Sequence, residues 1–172
     1  MALHNWPFLG RSQPLAVTGG SGSYLIQADG SKILDAAGGA IVVNIGHGRV
    51  EVAEAVAKAT GNGGYVVPTW MTPEREALVE ELTNHWLPSH LSRIHLTSGG
   101  SEANEAAMKI AVQYFAAKGQ PNKSRIISRS LSYHGTTITT AGVSAISSVF
   151  GVGSISSSPT TNIPVRWSIL TL

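Results

Sequence analysis

The stretch His95-Leu-Thr-Ser-Gly-Gly-Ser-Glu-Ala-Asn-Glu-Ala-Ala-Met-Lys-Ile-Ala111 decides the fold, because its pattern changes from strand to helix across two glycines. Just before the glycines, Arg93 to Thr97 reads as a short strand. Just after them, Ala103, Ala106, Ala107, Ile110, Ala111 and Tyr114 recur at helical spacing, and Gly119 and Pro121 close the run. Arg125-Ile-Ile-Ser128 then reads as a second strand. Residues 93 to 128 therefore predict a strand, a glycine turn, a helix and a strand, which is a βαβ unit and an α/β class.

The glycine turn also predicts chemistry. Ser98-Gly99-Gly100-Ser101 lets the backbone approach a ligand closely, and the first helical turn points free N–H groups outward with the positive end of the macrodipole behind them. Such a turn holds a phosphate dianion well, and Ser101, Thr97 or Ser98 could add a hydroxyl. On spacing alone the same residues are more often plain punctuation between strand and helix. No GxGxxG, GxxxxGK[ST] or GxSxG pattern occurs in the chain, so the common dinucleotide, nucleotide and nucleophile-elbow signatures are excluded.

Upstream, Ser23-Tyr-Leu-Ile-Gln27 and Ser31-Lys-Ile-Leu-Asp35 flank the turn dipeptide Asp29-Gly30 and predict a hairpin. Val52, Ala53, Val56 and Ala57 predict a helix from Val50 to Thr60, stopped by Gly61-Asn-Gly-Gly64. Thr72 and Pro73 supply the cap and first turn of another, with Leu78, Leu82 and Trp86 on one face and an end before Pro88. From Thr136 to Leu172 the only charged residue is Arg166 and serine is abundant, so poor order is expected after about Ser147.

Composition closes off several classes. The 172 residues, 42% of them hydrophobic, suffice for a buried core. A net charge of +2 without any basic block argues against nucleic acid. The absence of cysteine excludes disulfides and thiolate chemistry. No apolar run approaches the roughly 20 residues of a membrane helix, and no secretory leader is visible, so a cytoplasmic or organelle-matrix protein is expected.

The run from His95 to Ala111 resembles the phosphate-cup motif of class III aminotransferases, enzymes dependent on pyridoxal 5'-phosphate. Ser132-Tyr133-His134-Gly135-Thr136 is similar to the aromatic segment that follows it in those enzymes, and the Gly22 to Asp35 hairpin and Asn44-Ile-Gly-His47 resemble two of their upstream features. The resemblance covers residues from about 20 to 145 and fades at about Ala145. It implies fold type I of the pyridoxal-phosphate transferases, with residues 1–70 as an N-terminal segment, 71–145 as an incomplete large mixed-sheet domain and 146–172 as a divergent tail. It further implies that the amides of Gly100 and Ser101 hold the cofactor phosphate and that Tyr133 stacks on the pyridine ring. His134 is placed beside the cofactor or among structural hydrogen bonds, and Trp70 in the substrate pocket or the core. Glu102 and Asn104 orient the cup or cap the helix, with capping favoured, and His47 is structural. An amino donor, a keto acid and a homodimeric partner are implied; no metal is.

Two departures from the family matter. Arg49 and Val50 stand after Gly48 where the family reads His-Pro, a minor change. The Asp-Glu-Val-Gln-like segment that pairs with the pyridinium nitrogen does not occur, and Lys32, Lys58, Lys109, Lys118 and Lys123 all fall in segments with other purposes. With neither the electron-sink partner nor the Schiff-base lysine identified, the chain is expected to be a truncated, non-catalytic piece of such an enzyme.

Overall fold

The computed structural model describes residues 15–129 and 132–144, and the backbone of 167–171. The chain divides into two units, Met1–Glu81 and Leu82–Leu172.

In the first unit, β1 (Val17–Ser21), β2 (Tyr24–Gln27) and β3 (Lys32–Leu34) form an antiparallel sheet in that order. The β2–β3 hairpin falls where the sequence places it, with Leu25 opposite Ile33 and Ile26 opposite Lys32. Its turn is chemical in origin: the Asp29 carboxylate accepts from the Ser31 amide at 2.9 Å, while Gly30 takes a φ of 84° that side chains resist. Asp35, at the exit of β3, accepts from the Gly39 amide and from His47 Nε2, both at 2.8 Å. Between them lies α1 (Gly38–Ile41), a single turn in which φ stays positive, at 62° even for Ala40. The backbone of His47 exchanges two hydrogen bonds with Gly22, tying this loop to the β1–β2 turn.

The helix α2 (Val50–Asn62) forms as predicted and stops at Gly63. For α3 (Pro73–Glu81), the Thr72 hydroxyl accepts from the Arg75 amide at 3.3 Å. A π-helical turn, Leu82–Trp86, continues the chain, and no helix reaches Pro88. Arg75 also folds the preceding loop around its guanidinium, donating to the carbonyls of Val66 (2.6 Å), Val67 (3.0 Å) and Trp70 (2.8 Å).

In the second unit, α4 (Gly100–Ala117) is the longest element and β4 (Arg125–Arg129) follows it. Here the structure corrects the sequence. Arg93 to Thr97 is not a strand, because among the described residues no neighbouring chain supplies a ladder for it. β4 instead pairs antiparallel with β5 (Trp167–Thr171), Arg125 opposite Thr171 and Arg129 opposite Trp167. The parallel crossover is therefore not formed by these residues. Most of the segment expected to be poorly ordered lies outside the described residues, and the part described, 167–171, is this strand.

The short helix α5 (Ile138–Val143) packs against α4 and β4. The buried apolar residues among those described are Met108 on α4 with Ala141 and Val143 on α5. No described helix is long and apolar enough to cross a membrane.

Candidate functional site

The site is built at the N-terminus of α4. Gly99 is extended (φ −172°, ψ 171°), Ala103 makes the first intrahelical bond to its carbonyl at 3.0 Å, and no side chain caps the helix. The amides of Gly100, Ser101 and Glu102 therefore have no intrahelical acceptor and no capping oxygen. A side chain at Gly100 would meet nothing within 4 Å, whereas one at Gly99 would meet the Glu102 carboxylate at 2.8 Å. Eighteen residues of helix stand behind these amides, aligned to hold an anion.

Beside this terminus runs the segment from Ser132 to Thr137, which α4 holds at three points. Ser101 Oγ accepts from the Thr136 amide at 3.1 Å, Asn104 Nδ2 donates to the His134 carbonyl at 2.6 Å, and Glu105 accepts from Thr137 Oγ1 at 2.6 Å. From the other side, Ser144 Oγ accepts from the His134 amide at 2.9 Å. His134 is thus fixed through both its backbone groups, and its ring Nε2 lies 3.0 Å from Ser132 Oγ. Tyr133, between these anchored residues, is 61% exposed. Such a geometry offers an anion site and an exposed aromatic residue carried by one braced loop.

Of the residues singled out from the sequence, Gly100, Ser101, Tyr133 and His134 fall together in this unit. Trp70 lies in the first unit, 68% exposed rather than packed in a core. Thr97 Oγ1 is committed to the Gly99 carbonyl at 3.1 Å. Asn104 does not cap α4 but ties down His134, and the Glu102 carboxylate folds back against Gly99 without forming a cap. A cleft of about 310 Å³ opens alongside, lined by Asn104, Met108, Ile126, Ser128, His134 and Val143 among others.

Sequence reasoning missed Glu105, Thr137 and Thr140. Thr137 caps α5: its Oγ1 accepts from the Thr140 amide at 3.2 Å while Thr140 Oγ1 accepts from the Thr137 amide at 3.0 Å. The usual signature of such a box has Glu or Gln at its third helical position, so a Thr-x-x-Thr pattern gives little warning. The Thr137 hydroxyl, helped by Thr139 and the charge of Lys109, holds the Glu105 carboxyl below its ordinary range against the opposing effect of burial. Glu105 is thus an ionised acceptor at neutral pH. Among the described residues no cluster of three or more His, Cys, Asp or Glu gathers as metal ligands.

Comparison with solved structures gives the class. A transaminase from a marine Virgibacillus matches with a TM-score of 0.79 and 30% identity, over 92% of this chain and 37% of its own. An amine transaminase of an uncultivated Pseudomonas, solved in its PLP-bound form, matches with a TM-score of 0.75 and 31% identity, over 87% and 35%. The fold is accordingly part of the α/β fold type I of pyridoxal-phosphate transaminases. The family model of class-III aminotransferases matches residues 9–162, and the chain belongs to that family. This match extends past Ala145, where the resemblance was expected to fade. A Mycobacterium tuberculosis protein named as a probable aminotransferase is 45% identical over 130 residues, 74% of this chain and 27% of the relative. The chain spans about 30% of the length of a tomato (Solanum lycopersicum) gamma aminobutyrate transaminase, to which it is 33% identical.

Proposed function

We propose that this chain supplies the phosphate-holding and ring-holding part of a pyridoxal 5'-phosphate transaminase, which passes an amino group from an amine or amino acid to a keto acid. The observation that carries this reading is the bracing of Ser132 to Thr137 against the uncapped N-terminus of α4. The residues present fit the cofactor: uncapped amides at Gly100 and Ser101 suit its phosphate, and the exposed Tyr133 suits its ring. Bound there, pyridoxal phosphate supplies the electron sink that transamination needs.

The chain's own part is to hold and orient. The Gly100 and Ser101 amides take phosphate oxygens, and the Ser101 hydroxyl, whose oxygen already accepts from Thr136, keeps its proton for another. Tyr133 meets the ring, a contact worth about 0.5–1.5 kcal/mol beyond area burial. His134 fixes the tyrosine from the adjoining position. In this reading residues 1–70 form the N-terminal segment, 71–145 the incomplete cofactor domain and 146–172 a tail, in a cytoplasmic or matrix protein whose working form is a homodimer.

Lys32 lies in β3, Lys58 in α2 and Lys109 in α4, while Lys118 and Lys123 lean over the rings of Tyr114 and Phe115. None of these five is bonded to Gly100, Ser101, Tyr133 or His134 among the described contacts, so binding without turnover is expected of these 172 residues by themselves. Calorimetry with pyridoxal phosphate, followed by incubation with an amine donor, tests both halves. Keto-acid-dependent amine consumption by the purified chain would overturn the second.

A second reading makes the chain a non-catalytic piece that binds a full-length subunit. The exposure of Tyr65, Trp70, Trp86 and Ile110 favours it. Co-purification with a full-length relative is the check, and failure to associate at micromolar concentration removes it.

A further inference from the structure

We infer that Glu105 is a positioning residue of this site: bonded to Thr137, it sets the start of α5 and through it the loop that presents Tyr133. The inference rests on the cofactor reading above. Glu105 touches neither the uncapped amides of α4 nor the tyrosine ring, and nothing in the resemblance assigns it a role.

The argument is one of hydrogen-bond direction. An ionised carboxylate only accepts, so the single proton of Thr137 Oγ1 must point at Glu105 Oε1, 2.6 Å away. The Thr137 oxygen is then left to accept, from the Thr140 amide at 3.2 Å and from the Thr140 hydroxyl at 2.7 Å. Thr140 is fully buried, so its hydroxyl has no water to turn to. The carboxylate thereby fixes the sense of the one cap bond that either hydroxyl could donate; the Thr140 hydroxyl, which cannot receive that proton, donates to the Thr137 oxygen or to the Thr137 carbonyl at 3.3 Å.

That cap reaches the loop along two paths. The α5 backbone carries Ser144, buried at the far end, whose hydroxyl accepts from the His134 amide and donates to the Thr140 carbonyl at 2.7 Å. Thr140 Oγ1 also packs against Gly135, where a methyl group would sit 2.6 Å from it and from Ser101 Oγ. Shifting α5 therefore moves both residues that follow Tyr133. Ser101 and Asn104 tie the same loop, but each reaches only a backbone group of the loop itself. Glu105 alone of the three reaches the helix cap.

The test separates the ring from the phosphate. Pyridoxamine 5'-phosphate, which cannot condense with lysines, is titrated by fluorescence anisotropy, and inorganic phosphate by competition, into wild type, Glu105→Ala and Glu105→Gln. Exchange of the Thr136 and Thr137 amides is followed without ligand. Glu105→Ala is expected to weaken pyridoxamine phosphate about tenfold while leaving phosphate within about twofold, and to speed both amides. Glu105→Gln, whose amide oxygen still accepts, is expected to restore most of each.

Equal weakening of phosphate and pyridoxamine phosphate would reduce Glu105 to general support of α4 and overturn the inference. So would amide exchange that is unchanged in Glu105→Ala. Wild type that binds phosphate and pyridoxamine phosphate equally would instead remove the stacking role of Tyr133, and the exchange rates then decide on Glu105 by themselves.

Discussion

At Gly135 the backbone takes a φ of 136°, and a Cβ built there lies 2.6 Å from Ser101 Oγ, 2.6 Å from Thr140 Oγ1 and 2.9 Å from Thr140 Cβ. Neither hydroxyl can step aside cheaply, since one accepts from Thr136 and the other completes the α5 cap. Gly135→Ala therefore adds backbone strain to overpacking and should lower the stability of the second unit by about 1–3 kcal/mol. A shift of the urea midpoint measures it, and an unshifted midpoint would mean that the loop relaxes freely. Asp35 gives a prediction in pH. Its carboxyl lies below the ordinary aspartate range, first because of the hydrogen bond from His47 and further because of the Gly39 amide, with burial opposing. A depressed folded value means that the tie is complete above the unfolded value of about 3.9 and is lost as pH falls through the lower folded one. Protection of the Gly39 amide, taken relative to its intrinsic exchange rate, should be lost only in that acidic window; protection that persists through it would show that the Asp35 tie does not hold this loop.

Among the elements, those written by local rules were legible in the sequence and those that need a distant partner were not. Asp29 and Gly30 build their turn from adjacent atoms, Thr72 and Pro73 start α3 from within its first turn, and the apolar spacing from Ala103 to Tyr114 lies inside α4 itself. Arg93 to Thr97 has a strand's composition, but a strand exists only where another chain accepts its hydrogen bonds. β4 found its partner about forty residues away, in a serine-rich segment with no strand signal strong enough to predict it. The candidate site divides the same way. Gly100, Ser101, Tyr133 and His134 were readable as a motif, whereas the bonds from Asn104, Glu105 and Ser144 depend on which helix faces the loop. The cap of α5 is the element-scale test. Thr137→Val keeps the shape but removes the oxygen that serves both Thr140 and Glu105, and should cost about 0.5–2 kcal/mol of α5 stability. Faster exchange of Ala141 and Ser144, with α2 unaffected, is the expected pattern.

For the molecule as a whole, the balance of burial limits what the chain can do alone. The buried apolar residues among those described are Met108, Ala141 and Val143, all in the second unit, while in the first Ile41 is 82% and Tyr65 80% exposed. Stability arises mainly from apolar surface taken out of water, and here much of that surface remains in it. The helices α2 and α3 have no buried residue, so apolar burial contributes little to either, and helices of thirteen and nine residues are marginal without it. Urea should therefore unfold the isolated chain in a broad transition with a slope below about 1 kcal/mol/M, the lower edge for small domains. Within it, α4 and α5 should hold their amides longest and α2 should exchange first. If a full-length relative covers the exposed Tyr65 and Trp70, adding it should sharpen the transition and slow exchange in the first unit. A steep, single transition of the chain by itself would show that it needs no such cover, and would leave cofactor holding as its role rather than association.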